Sequence, residues 1–347
     1  AIPSKAAVSF QCPGDVVGDH NEDGMLRADA QGRPEIRNPA SPNQVCMHLS
    51  AGDGFGVMAD GYLQYLFSFA NVTSDQDGNV IPDDQVMAEG ALAAEWPAPT
   101  IELKEGDEFY LTLSNVGMHI RPDLFDPHTV HYHGFPQSSN IYDGLPESGI
   151  SINMGASLTY YYDNVDPGTY MYHCHVEATE HMQMGMLGNL YVHPAQNGNT
   201  ALYPSGLFVY NDGDGSTGYD AAYPIQLGGF DREFHDASLT VQPLPFADMQ
   251  DDYPMINGRG YPDTADPNPV PAAAEANPLD GVSTQKVSSL ITATPGQRVL
   301  LRISNLNVTR FHTLASTIPM TVVGKDARLL RSETAGNLYY TTNSVTL

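Results

Sequence analysis

Ile101–Val116 reads I-E-L-K-E-G-D-E-F-Y-L-T-L-S-N-V, and Ile291–Leu306 reads I-T-A-T-P-G-Q-R-V-L-L-R-I-S-N-L. The two align without gaps at an offset of 190 residues and share five of sixteen positions, including Gly106 with Gly296 and Ser114-Asn115 with Ser304-Asn305. In each, a glycine turn opens an alternating strand that ends in Ser-Asn, so one supersecondary unit is used twice. Further short β-type runs surround the first copy: Tyr62–Asn71, Ser157–Asp163, Tyr170–Val176 and Met186–His193. Turns at Asp77-Gly78, Asp143-Gly144 and Pro167-Gly168 separate them at the spacing of a sandwich. The fold class expected is all-β, two β-sandwiches in tandem with few and short helices. The expected boundaries are a loop-rich arm over 1–60, a first sandwich over 61–195 and a second over 196–347.

The copies diverge after the shared unit. The first runs 78 residues from Val116 to Pro194, whereas 41 follow Leu306. A sandwich without its closing strands exposes an unpaired edge. The second copy is therefore expected to take its last strands from another polypeptide, a C-terminal portion or a partner chain.

Composition narrows the function classes. The 347 residues carry 15 Lys+Arg against 41 Asp+Glu, a net charge of -26, which opposes binding to nucleic acid or an anionic membrane surface and favours cations. No apolar run reaches the roughly 18 residues of a membrane span. The first ten residues read as a mature N-terminus left by processing. Of three cysteines, Cys12 and Cys46 flank a loop-rich stretch and are expected to pair, while Cys174 lies among histidines as a functional thiol. A disulfide implies an extracytoplasmic compartment, periplasmic or secreted.

Seven of twelve histidines fall between His119 and His181, and six of them form two motifs. One is His128-Thr-Val-His131-Tyr-His133-Gly134. The other is His173-Cys174-His175, followed by His181 and Met186. Side chains alternate along a strand, so His131 and His133 share one face and His128 takes the other; His173 and His175 share a face that Cys174 leaves. If the strands pair, one face presents His128 and Cys174 and the other four imidazoles. A thiolate, two imidazoles and a thioether make a blue-copper ligand set, and an all-nitrogen set suits copper that binds dioxygen. Cys174 joins the two through a few covalent bonds. Zinc also takes Cys/His clusters, but a structural zinc site needs neither the split nor a methionine five residues beyond a histidine.

These motifs resemble the H-P-x-H-x-H-G and H-C-H-x3-H-x4-M segments of multicopper oxidases, the cupredoxin-fold family that includes laccases and metallo-oxidases. The resemblance is close over about 61–195 and loose over 205–347. It implies tandem cupredoxin-like Greek-key sandwiches and copper as cofactor. By position, His128, Cys174, His181 and Met186 resemble the type 1 ligands, His131 a type 2 ligand, and His133, His173 and His175 type 3 ligands. Asp143 matches the family's acidic residue beside the trinuclear cluster and is the candidate proton source, although an Asp-Gly turn explains it equally well.

The sequence departs from the family in three ways. Seven residues rather than five separate Cys174 from His181, and the extra pair falls within Glu177-Ala178-Thr179-Glu180. That places Glu177 and Glu180 beside the edge where electrons are expected to arrive, the exposed side of His181 or His128. The type 1 set lies in the first domain, as in two-domain or larger members. Only four of the family's eight cluster histidines are present, because the second copy has His235 and His312 but no H-x-H pair; the rest must come from another cupredoxin domain.

The resemblance implies one-electron oxidation of a substrate coupled to reduction of O2 to water. The acidic charge, Glu177, Glu180, Met182 and Met184 favour a metal cation such as Mn(II), Fe(II) or Cu(I), with phenols as the alternative substrate class. Copper nitrite reductases carry an Asp where this chain has His131. A type 1 electron carrier without catalysis is the alternative of a different class. Asn211–Ser216 resembles part of a calcium loop and reads better as a turn, and Asp248, Asp251 and Asp252 read as a solvated loop or a landing patch for cations.

Overall fold

The computed structural model describes residues 8, 11–13, 26–28, 34–38, 41–75, 79–135, 139–163, 166–240, 242–271 and 284–347. The Asp77-Gly78 turn lies outside them.

The first sandwich is built of β1 (Leu26–Ala28), β2 (Pro34–Asn38), β3 (Ser41–Val57), β4 (Leu63–Asn71), β5 (Ala98–Lys104), β6 (Glu108–Gly117), β7 (His131–Tyr132), β8 (Ser157–Asp163), β9 (Gly168–His173) and β10 (Leu187–His193). One sheet runs β1-β2-β3-β6-β8 with β4 also on β3, and the other runs β5-β10-β9-β7. Inward residues alternate with outward ones, which is why Leu111, Leu113, Phe67, Phe69, Tyr160, Tyr162 and Tyr172 are all fully buried.

The 1–60 arm is corrected by β3. Residues 41–57 form the long strand at the middle of the first sheet, parallel to β6 and antiparallel to β4. Gly52, Gly54 and Gly56 made this stretch read as loop, yet they sit where β3 is crossed closely by neighbours: a Cβ on Gly54 would lie 3.1 Å from the Leu92 carbonyl. Cys46 of β3 is bonded to Cys12, as expected. Removing that bridge (Cys12→Ala with Cys46→Ala) is expected to cost about 3–4 kcal/mol by freeing the unfolded chain. Denaturant melts of the two forms with equal m-values check it.

The second unit repeats the three-strand centre of the first. Strands β11 (Leu207–Phe208) and β12 (Gly218–Tyr219) lead into β13 (Ala221–Phe230), β14 (Tyr253–Ile256) and β15 (Val299–Asn305). β13 is antiparallel to β14 and parallel to β15, the pattern of β3 with β4 and β6. Gly106 and Gly296 both have positive φ, +88° and +96°, which is why glycine recurs at that turn. Asn115 accepts from the Gly117 amide and Asn305 from the Asn307 amide, both at 2.9 Å. The remaining strands are β16 (Thr313–Val322), the short ribbons β17 (Gly324–Lys325) with β18 (Arg328–Leu329) and β19 (Arg331–Ser332) with β20 (Gly336–Asn337), and β21 (Tyr340–Thr346), which pairs with β16.

Helices among the described residues are short: α1 (Val86–Glu89), α2 (Ala178–Met184) and α3 (Arg232–Ser238). No described helix is long and apolar enough to cross a membrane. Asp212 of the calcium-like loop spends both carboxylate oxygens on Asp214, Gly215 and Thr217 of its own turn and on Gln196. Asp251 is neither solvated nor a landing patch: it is buried and accepts from Gln183 and Asn307, tying α2 to the end of β15.

Candidate metal centre

The strand expected over Tyr170–Val176 ends at His173. β7 and β9 do pair, with His131 opposite His173 and Tyr132 opposite Tyr172. Beyond β9 the chain turns through Cys174 and His175 into α2. His128 lies outside any strand but is held by reciprocal backbone bonds to Ile152 at 3.0 and 2.9 Å. The division by parity therefore survives, although strand geometry delivers only part of it.

The sulfur-bearing set is fully enclosed. Cys174 Sγ lies 3.2 Å from His181 Nδ1 and 3.7 Å from His128 Nδ1, and those two rings stand 4.9 Å apart. The Thr129 amide points at the same sulfur, 3.5 Å away. Burial pushes the Cys174 thiol up to about 12, and holds His181 down to about 4 and His128 well below the usual imidazole range. Both rings are neutral at pH 7 and turn Nδ1 towards the sulfur, the protonation state a metal requires. Their Nε2 atoms are buried with no hydrogen-bond partner among the described residues. No second hydrogen bond orients either ring, so packing and a bound ion must do it. A soft sulfur with two imidazoles fits copper. Met186 is fully buried and its carbonyl accepts from the Cys174 amide at 3.1 Å. Gly185 ends α2 at φ +121°, where a Cβ would meet the Phe67 carbonyl at 2.8 Å.

Expected exposure of the His181 or His128 edge is overturned: both rings are at 0% relative accessibility. Between Cys174 and His181 the chain coils into α2, which carries His181 into the core. Glu177 takes a left-handed conformation (φ 45°) at the start of that helix and stays exposed, while Glu180 is turned in, at 7% accessibility. Burial, then the charges of Glu177 and Asp126, raise the Glu180 carboxyl to about 7. Asp126, two residues before His128, completes an acidic trio that sequence reasoning missed; its place in the same motif was the available signal.

The imidazole set opens to solvent. His133 and His173 face each other through Nε2 atoms 2.9 Å apart, and His131 closes the group. His175 lies alongside, its ring 5.0 Å from that of His131 and 5.4 Å from that of His173, but falls outside the tight group of three. Burial lowers His173 to about 3, and burial with the neighbouring His131 and His175 lowers His133. His173 Nδ1 lies 2.7 Å from the Cys174 carbonyl oxygen, and His131 Nδ1 lies 2.6 Å from that of Asp143, so each ring donates at Nδ1 and keeps Nε2 for an ion. The Asp143 carboxylate reaches to 3.4 Å from the same His131 nitrogen. Asp143 is thus both the turn residue and a neighbour of the cluster. These imidazoles also fit copper.

The second copy shows why it supplies no such set. His312 exchanges backbone bonds with Leu347 as His128 does with Ile152, and Asn305 and Asn115 donate to those same two carbonyls. The segments then compare directly: His128-Thr-Val-His131-Tyr-His133 against His312-Thr-Leu-Ala315-Ser-Thr317. Ala315 and Thr317 stand where the cluster histidines stand in the first copy. His235 lies elsewhere, between α2 and β4.

The multicopper oxidase family profile matches residues 76–197. The chain is similar to the iron transport multicopper oxidase fetC of Epichloe festucae, 36% identical over 107 residues, which is 29% of this chain and 15% of that protein. It is also similar to the multicopper oxidase MmcO of Mycobacterium tuberculosis, 35% identical over 80 residues, 23% of this chain and 14% of that protein. The matches therefore span a small part of these relatives' length. Among solved structures, a blue copper oxidase from Nitrosomonas europaea superposes with a TM-score of 0.57 at 19% identity, covering 88% of this chain and 72% of that one, a likeness of fold.

Proposed function

From the match of residues 76–197 to the multicopper oxidase family we propose an enzyme of that family, one that oxidises a small metal cation one electron at a time and reduces dioxygen to water. Mn(II), Fe(II) and Cu(I) are the cations favoured. The observation that carries the reading is adjacency: Cys174 faces His128 and His181, while its neighbour in sequence His173 belongs to the imidazole set and His175 lies alongside that set. Copper, when bound, supplies one-electron exchange at the first set and dioxygen reduction at the second. The chain's own part is to hold the two sets apart yet joined, through the Cys174 backbone and the His173 hydrogen bond to its carbonyl. Four electrons and four protons convert one dioxygen to two waters, and in this reading Asp143, whose carboxylate lies 3.4 Å from His131 Nδ1, delivers the protons.

Support for the cation comes from Glu180. The residue is 7% accessible, makes no hydrogen bond among the described residues, and sits with Glu177 and Asp126 beside the helix that carries His181. Like charges gathered without a partner suit a cation better than a phenol. Glu180→Gln is expected to raise KM for Fe(II) or Mn(II) about tenfold, about 1.4 kcal/mol, while leaving oxidation of a phenol within about twofold. Equal losses on both substrates would count against a cation site here.

A further cupredoxin domain, from the same polypeptide or another, completes the cluster in this reading. Burial in the second unit supports it. Ile101 and Leu111 are buried in the first unit at 2% and 0%, whereas their counterparts Ile291 and Leu301 are exposed and half-buried. The opposite, polar face of β15 is the one covered, with Arg302 bonded to Thr169 and Ser304 to Asn189 of the first unit. An apolar strand face left open marks an interaction surface. The Cys12–Cys46 bond supports an extracytoplasmic location.

A further inference from the structure

His235 belongs to neither metal set. It lies on α3, in the second unit, and is fully buried. Its Nδ1 is 2.5 Å from the Tyr65 carbonyl oxygen on β4, and its Nε2 is 2.9 Å from the Gln183 carbonyl oxygen in α2. Phe230 packs against the ring at 4.3 Å. A residue kept only for packing there would be apolar, since an enclosed polar ring costs free energy unless it is bonded.

Both acceptors matter to the sulfur-bearing set. Gln183 is in the last turn of α2, where carbonyls have no partner within the helix, and seven residues are too few to hold a helix alone. Two residues earlier on that helix is His181. Tyr65 is two residues from Phe67 on the same face of β4, and the Phe67 ring stands edge-on to His181 at 6.2 Å. A neutral imidazole carries one N–H, so His235 ties the backbone that carries His181 to the backbone that carries its packing partner when both ring nitrogens are protonated, a charge that burial opposes and the two carbonyls favour. Because His181 Nε2 has no hydrogen bond among the described residues, the ring's orientation follows from where α2 sits.

We propose that His235 is a positioning residue: the second unit uses it to lock α2 against β4 and so to fix His181 relative to Cys174. The consequence for copper rests on the oxidase reading above, while the lock itself does not.

The test uses the full chain with His235→Leu, which removes both ring nitrogens, and His235→Gln, which keeps amide donors. In the metal-free protein, hydrogen exchange of the α2 amides is expected to be about tenfold faster in H235L, with β6 and β10 unchanged and H235Q in between. In the Cu(II)-loaded protein, the thiolate-to-copper band and the copper hyperfine splitting are expected to shift in H235L and to return towards the parent in H235Q. Parent-like exchange and spectra in H235L overturn the proposal, as does a uniform rise in exchange over the whole first sandwich with an unchanged copper spectrum. Side-chain 15N spectra of the parent decide the case if H235L does not fold: protons on both Nδ1 and Nε2 of His235 are required, and the absence of either refutes the lock. A parent that binds copper without a blue band defeats the oxidase reading and leaves the exchange and 15N results to judge the lock.

Discussion

Cys174→Ser is expected to abolish the blue absorption and the oxidase activity together, with activity falling to the uncatalysed background. Sulfur is the soft donor in a set otherwise made of two neutral imidazoles, and His181 and His128 have their Nδ1 atoms trained on it. A serine hydroxyl stays protonated at neutral pH and offers copper(II) no intense charge-transfer band. The substitution also cuts the junction between the sets at its sulfur end while leaving His173 and His175 in place. The fold should persist: the hydroxyl can still donate to the Val176 carbonyl that the thiol faces, so a loss within about 1–3 kcal/mol is expected. Absorption, copper content and oxygen uptake measured on one preparation check it. A blue, active C174S protein would remove the thiolate from the mechanism altogether.

How much of this centre could be read in advance depends on which residues are asked. His131, His133 and His173 were placed by parity, because two-residue periodicity is set by local backbone geometry. Cys174 and His175 followed the same rule past the end of the strand, since the extended chain continues briefly after its ladder stops. α2 was hidden: Ala178–Met184 is too short to show helical periodicity, and its first residue follows Glu177 in a left-handed conformation that only tertiary contacts can hold. With α2 hidden, the burial of His181 and the inward turn of Glu180 were hidden too. β3 was misread because its glycines answer to close neighbours across the sheet rather than to a turn. The repeat was legible as far as Leu306, where the offset drops by six residues and an ungapped comparison stops. Past that point, His312-Thr-Leu lies in register with His128-Thr-Val only once the paired carbonyls of Ile152 and Leu347 are seen.

His133→Asn combined with His173→Asn is expected to do the converse of C174S: the blue band stays, bound copper falls, and oxygen uptake drops to background. The two rings face each other through Nε2, at 2.9 Å, on the side of β7 and β9 away from the sulfur. Asparagine keeps a polar group of smaller size at each place, and His133 is exposed, so the sulfur-bearing core with Phe67, His128 and His181 is undisturbed. This double substitution also separates an oxidase from an electron carrier. A carrier that uses the sulfur set alone would lose neither copper nor electron-transfer rate, and its parent would bind about one copper with no oxygen uptake. Retained oxygen uptake in the double variant would remove the imidazole set from catalysis. Loss of the blue band with it would mean that the sets share one ion, because ligands 40 residues apart in sequence could not otherwise fail together across a sheet that is still folded.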